Sequence, residues 1–94
     1  MVLEIADFAV VAGREDDFAQ AYREAVQFIV RAPGARTARM TRGIESPGRF
    51  VLMVEWDDVA AHEAFRASED FPRWRAPIGG FFDGPPRVEH FTDV

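Results

Sequence analysis

Two segments of this chain, residues 2–11 and 50–56, are apolar on both sides when read with the two-residue period of a strand. In the later segment Phe50, Leu52, Val54 and Trp56 fall on one side, and Val51, Met53 and Glu55 on the other. In the earlier one Leu3, Ile5, Ala9 and Val11 oppose Val2, Ala6, Phe8 and Val10. A strand with one face in water alternates apolar with polar residues, so a sheet built around these two needs a cover on each face. The 94 residues hold two long helical patterns, enough for one layer of helices on one face. The second face is expected to meet a second copy of the same sheet, giving a homodimer closed sheet to sheet.

The intervening segments set the order of elements. Residues 2–11 read as a strand ending before Gly13. Residues 14–32 carry Phe18, Ala21, Tyr22, Ala25, Phe28 and Ile29 at helical spacing, with Glu15, Asp16 and Asp17 at the positive N-terminal end. Pro33 and Gly34 stop that helix. A polar, arginine-bearing edge strand follows over 35–43. Pro47 and Gly48 suit the centre of a type II turn, which makes a hairpin with residues 49–56. Asp57 or Asp58 can cap a second helix that ends near Ser68. Residues 69–86, crowded with Pro, Gly and aromatics, read as a short helical turn and a loop before a last strand over 87–94. The order is β-α-β-β-α-β in one domain spanning 1–94: an α+β, ferredoxin-like arrangement with an antiparallel sheet and both helices on one face.

Charge and composition exclude several kinds of chemistry. A net charge of −5 with no basic block argues against nucleic acid or an anionic membrane as partner. Every basic residue is arginine, so no lysine is present to form a Schiff base. The absence of cysteine removes disulfides, a thiolate nucleophile and iron–sulfur clusters. The apolar runs are shorter than the roughly 20 residues of a membrane span, and no signal peptide is visible, so the expected location is cytoplasmic. The stretch HEAFR begins like a zinc-protease helix but has Arg66 where the second histidine belongs, so no metal is expected. His90, between Glu89 and Phe91 on the last strand, reads as a structural or interface residue. Glu55 points to the sheet-to-sheet side, where an arginine is its expected partner. Glu4 and Asp7, an odd number of residues apart, point to opposite sides. A single glycine in VVAGRED makes no dinucleotide fingerprint.

A strand ending in VEWDD, the helix VAAHEAF, the turn PRWR and the closing PPRVEHF together resemble the antibiotic biosynthesis monooxygenase (ABM) family, whose members are dimeric α+β barrels. The resemblance covers the whole chain. It implies that Trp56 matches a tryptophan lining a pocket between sheet and helices, where its indole N–H can orient a planar ligand. The residues alone leave open whether Trp56 lines that pocket or plugs the end of the core. Haem-degrading members carry an asparagine on the first strand, here at Ala6 or Asp7, and an axial histidine on the later turn, here at or beside Arg75. This chain contains no asparagine, so haem is not expected to bind. Anthrone-oxidising members, which use no cofactor, place an asparagine, a tyrosine and an arginine where this sequence has Leu52, His62 and Arg75.

The resemblance therefore implies a monooxygenase without a cofactor, acting on a planar, hydrophobic, polyketide- or quinone-like molecule. Trp56, His62 and Arg75 are its expected catalytic residues, and Tyr22, Leu52, Phe65, Phe71, Trp74 and Phe81 its expected substrate wall. His62 can face either the sheet or solvent. The cluster Phe71, Trp74, Phe81 and Phe82 is either a lid over a ligand or a cap on the core. The missing asparagine favours a second reading, a non-catalytic dimeric module that binds a small aromatic ligand.

Overall fold

A computed structural model describes residues 1–94. Four antiparallel strands form one sheet in the order β2-β3-β1-β4, with β1 at Val2–Ala9, β2 at Ala35–Arg42, β3 at Arg49–Trp56 and β4 at Arg87–Phe91. The helices are α1 (Glu15–Ala25), α2 (Gln27–Val30), α3 (Val59–Arg66) and α4 (Asp70–Gly79). This is the ferredoxin-like α+β arrangement, with the two apolar segments as its central strands. No helix is long and apolar enough to cross a membrane.

The two sides of those strands separate as their alternation requires. Ala6, Phe8, Leu52, Val54 and Trp56 are buried against Phe18, Ile29, Phe65, Trp74 and Ile78 of the helices. On the opposite side Leu3, Ile5, Val51 and Met53 are only partly covered. Polar pairs cross that open face. Arg49 grips Asp7 with two nitrogens, the shortest bond being 2.6 Å, and Glu55 accepts a 2.6 Å hydrogen bond from Thr37. Within the chain Glu55 thus has a threonine rather than an arginine for partner, because Thr37 stands directly opposite it in the β2–β3 register.

Local chemistry adjusts several boundaries. The first helix divides at Val26: Gln27 turns its side-chain amide onto the carbonyl of Glu24 at 2.8 Å, and the amide of Ile29 reaches back only three residues, to Val26. The hairpin turn is closed by Arg49 N–H on the carbonyl of Ser46 at 2.9 Å. It is not type II, because Gly48 has no positive φ; Pro47 suits the second position of a type I turn equally well. Residues 70–79, expected as a turn and loop, form a ten-residue helix. Pro72 lies in its first turn, where a backbone N–H has no helical partner to lose, and Pro77 falls only two residues before its end. Packing of Trp74 and Ile78 into the core then outweighs the local breakers. Asp70 anchors the start of this helix by accepting two 2.7 Å bonds from Arg31 and one of 2.9 Å from Arg73, contacts that lower its carboxyl to about 2. The last strand ends at Phe91 instead of running to the final residue.

Gly34 joins the helical layer to the sheet. Its φ of 85° suits glycine, its carbonyl accepts the amide of Asp57 at 2.8 Å, and a Cβ on it would lie 2.6 Å from the Cβ of Ala61. Next to it Asp58 caps α3 through the amide of Ala61, while Asp57 pairs with Arg36. Gly34→Ala should destabilise the protein by about 1–2 kcal/mol in urea unfolding. Adding Ala61→Gly should restore only the part due to the clash, since the strained φ remains.

Candidate functional site

The inner face of β1 carries Glu4, Ala6 and Phe8 in alternation, and β3 sets Leu52 opposite Ala6 and Val54 opposite Glu4. A carboxylate therefore sits in an otherwise apolar row. His62, Phe65 and Arg66 descend on it from α3, and Phe71, Trp74 and Arg75 from α4. Ile29 closes one side, and Pro86 and Val88 the other. Together they surround a cavity of about 190 Å³ between sheet and helices.

Its polar centre is a chain of contacts running from the core to the edge of the sheet. The Trp56 indole N–H donates to Glu4 Oε1 at 2.9 Å, and His62 Nε2 lies 3.4 Å from the same oxygen. The His62 ring stacks on Trp56, with ring centres 5.0 Å apart and planes 15° from parallel. Its Nδ1 lies 2.7 Å from Nε2 of His90, close enough that the two imidazoles share one proton between them. Glu4 and His62 are both buried. Burial raises the carboxyl pKa of Glu4, against the opposing pull of the Trp56 hydrogen bond and the positive charge of Arg66. Burial also lowers His62 to about 4, helped by His90 and Arg66. At neutral pH His62 is therefore an uncharged ring with one donor and one acceptor. Arg66 and Arg75 make no ion pair in the chain, and the central carbon of the Arg75 guanidinium lies over the Phe82 ring, 4.5 Å from its centre.

Of the residues expected from the sequence, Leu52, His62, Phe65, Phe71, Trp74 and Arg75 border the cavity. Trp56 is fully buried behind it, and reaches it only through Glu4 and His62. Tyr22 stands edge-on to Trp74 at 6.0 Å, behind the wall. Phe81 packs toward Phe18 and under the Arg14 guanidinium, away from the cavity, and Phe82 stacks on Phe8. His62 faces the sheet. Three polar residues were not anticipated here: Glu4, Arg66 and His90. The signal for Glu4 was present, since it is the one charged residue in the row Val2, Glu4, Ala6, Phe8, Val10. Arg66 follows His62 by one helical turn. Nothing in the sequence joins His90 to His62.

The fold and the cavity between its layers define an α+β, ferredoxin-like domain with an acid–imidazole pair buried in an apolar site. The family model for antibiotic biosynthesis monooxygenases matches residues 1–77, and the chain belongs to that family. It is 35% identical to the uncharacterized protein YczJ of Bacillus subtilis (strain 168), an alignment that spans both chains in full. A crystal structure from Bordetella bronchiseptica, of a protein assigned to the same family, superposes with a TM-score of 0.95 at 39% identity, covering 99% of this chain and 96% of the other. SnoaB, a cofactor-independent oxygenase from Streptomyces nogalater solved as a variant, has the same fold at 20% identity, with a TM-score of 0.84 and coverage of 98% and 91%.

Two outcomes follow from the buried pair. Trp56→Phe keeps a ring in the core but takes the donor from Glu4, and should cost about 1–3 kcal/mol in denaturant unfolding. The second concerns pH. Because the folded protein holds His62 below its ordinary value, the unfolded chain binds a proton there first as pH falls from 6.5 to about 4, and stability is lost over that window. The loss from this group is on the order of a few kcal/mol at most. Glu4 acts in the opposite sense, since its raised value favours the folded state on acidification. Relative to His62→Phe, the wild-type urea midpoint should therefore decline between pH 6.5 and 4. A constant difference between the two proteins would show that His62 is not held neutral by its surroundings.

Proposed function

We propose that this protein is a monooxygenase that works without metal, haem or flavin on a planar, hydrophobic, polyketide- or quinone-like molecule with an acidic C–H bond. The observation that carries this reading is the convergence of two unpaired arginines and a buried carboxyl–imidazole pair on one apolar cavity. Removing the acidic proton leaves an enolate, whose negative charge the Arg75 and Arg66 guanidinium groups face. The electron-rich enolate gives an electron to O2 and combines with it to form a peroxide anion, which is protonated; the O–O bond then breaks as the second hydrogen of the same carbon leaves with the outer hydroxyl as water and a C=O bond forms. One oxygen atom stays in the product and the other leaves as water. Aromatic walls from Phe65, Phe71 and Trp74 suit a flat ring system. The cofactor-independent oxygenase SnoaB, on the same fold, supports this reading by analogy.

The same reading includes a homodimer. The open face bearing Leu3, Ile5, Val51 and Met53 is apolar and lacks a cover within the chain, and a second copy of that face is the complementary partner. Sedimentation at micromolar concentration should give twice the 10.6 kDa chain mass; a stable monomer would contradict it.

A specific observation favours a second reading, a non-catalytic module binding a small aromatic ligand: the wall position where anthrone oxidisers place an asparagine is here the apolar Leu52. Oxygen uptake with an anthrone as probe, and no added cofactor, separates the two. The monooxygenase reading expects uptake above the buffer rate, with Arg75→Ala lowering turnover about 100-fold and affinity much less. Binding of the anthrone with no uptake would hand the site to the second reading.

A further inference from the structure

We propose that Glu4 is the base that takes the substrate's proton, and that His62 and His90 form the path by which the proton leaves the cavity and returns. The proposal rests on the monooxygenase reading above for its substrate, and on three features of the site for its geometry.

The first is the division of labour between the two oxygens of Glu4. Oε1 is held by the Trp56 indole and approached by His62, whereas Oε2 has no protein partner. Since no side-chain oxygen in the chain is both sealed from solvent and unpartnered, Oε2 must be reachable, and the cavity that Glu4 lines is the space beside it. The free oxygen is thus available to a ligand. The second feature is continuity. From Glu4 the contacts pass through His62, 3.4 Å away, to Nε2 of His90 at 2.7 Å from the other ring nitrogen, and His90 is an exposed residue on the edge strand β4. Two imidazoles therefore link a buried carboxyl to the protein surface. The third is charge. Arg66 and Arg75 line the same cavity, and Arg66 acts electrostatically on both Glu4 and His62. These guanidinium groups favour an enolate next to them, and disfavour a second cation on His62, so a proton that reaches the ring passes on. The depressed basicity of His62 fits a relay better than a storage site.

The protons and electrons balance. The substrate C–H bond breaks, its electron pair remains in the enolate, and an O–H bond forms at Oε2 of Glu4. The carboxyl oxygens are chemically equivalent, so a half-turn of the group presents this proton to Nε2 of His62. As it transfers, the Nδ1 proton of His62 moves to Nε2 of His90, and His90 releases its Nδ1 proton to water. When the enolate's electrons have reduced O2 and the two have joined, the peroxide anion takes a proton back by the reverse path. That return restores both imidazole tautomers. O2 is the only oxidant required.

The test separates proton removal from oxygenation by working without air. Exchange of the acidic C–H of an anthrone in D2O is followed by proton NMR, with Glu4→Gln and His90→Ala beside the wild type. Glutamine keeps the shape and the acceptor for Trp56, yet exchange should fall about 100-fold. His90→Ala should bind the probe normally, slow exchange about tenfold and regain its rate on addition of imidazole, which does not affect the wild type. Wild-type rates in Glu4→Gln would overturn the base assignment, as would a bound anthrone that the wild type does not exchange. A His90→Ala protein that is unaffected, or slowed without rescue, would overturn the path. A second measurement needs no substrate: nitrogen-15 shifts of the imidazoles should change at both His62 and His90 on Glu4→Gln, and unchanged His90 signals would contradict the coupling. If exchange proceeds as described but no O2 is consumed, the oxygenase reading fails while the proton path stands.

Discussion

The contact between the Trp56 indole and the Glu4 carboxyl is the interaction on which the centre of this protein depends. Its two residues come from neighbouring central strands, and both lie on the face that the helices cover. A carboxyl in that position is costly unless something donates to it, and desolvation is the largest influence on its acidity. The indole supplies the donor, and a flat surface on which His62 stacks. A large aromatic at the end of β3 therefore does more than fill space: it makes a buried acid tolerable and fixes the ring that addresses it. Phenylalanine would keep a ring there and leave the acid without its donor.

The rest of the architecture keeps this arrangement open on one side. Asp70, gripped by Arg31 and Arg73, holds the start of α4, a helix whose two prolines weaken it locally. Aspartates and glutamates elsewhere engage Arg14, Arg36, Arg42 and Arg49. Arg23, Arg39, Arg66 and Arg75 have no carboxylate partner, and of these Arg66 and Arg75 border the cavity. In a protein with net negative charge this leaves a local positive field where an anionic intermediate would form. His90, which ends the proton path, lies on β4, whose residues are exposed throughout.

The strands and their faces were legible because the period-two pattern of β1 and β3 reports directly on which side chains are covered. The capping aspartate and the Pro33–Gly34 break were legible for similar local reasons. Helix α4 was not, since its prolines and glycines argue for a loop, and only the packing of Trp74 and Ile78 decides otherwise. The site was partly legible. Leu52 follows from its face and Phe65 from its place on the second helix, whereas Trp74 was expected only from an aromatic cluster, and Tyr22 and Phe81, with suitable chemistry, lie behind or beside the wall. The meeting of His62 with His90 depends on how α3 lies over the β1–β4 pair, which no spacing in the sequence encodes. Glu4 was legible in principle, as a charge on an apolar row.

The central claim, that Trp56 and burial hold Glu4 as a proton-exchanging group in the wall of a ligand cavity, is tested most directly by titrating the Glu4 side-chain carboxyl with carbon-13 NMR. The account predicts a midpoint above that of an ordinary glutamate, and a shift in that midpoint when a planar aromatic ligand fills the cavity. A midpoint at the ordinary glutamate value, unchanged by a ligand that demonstrably binds, would contradict it.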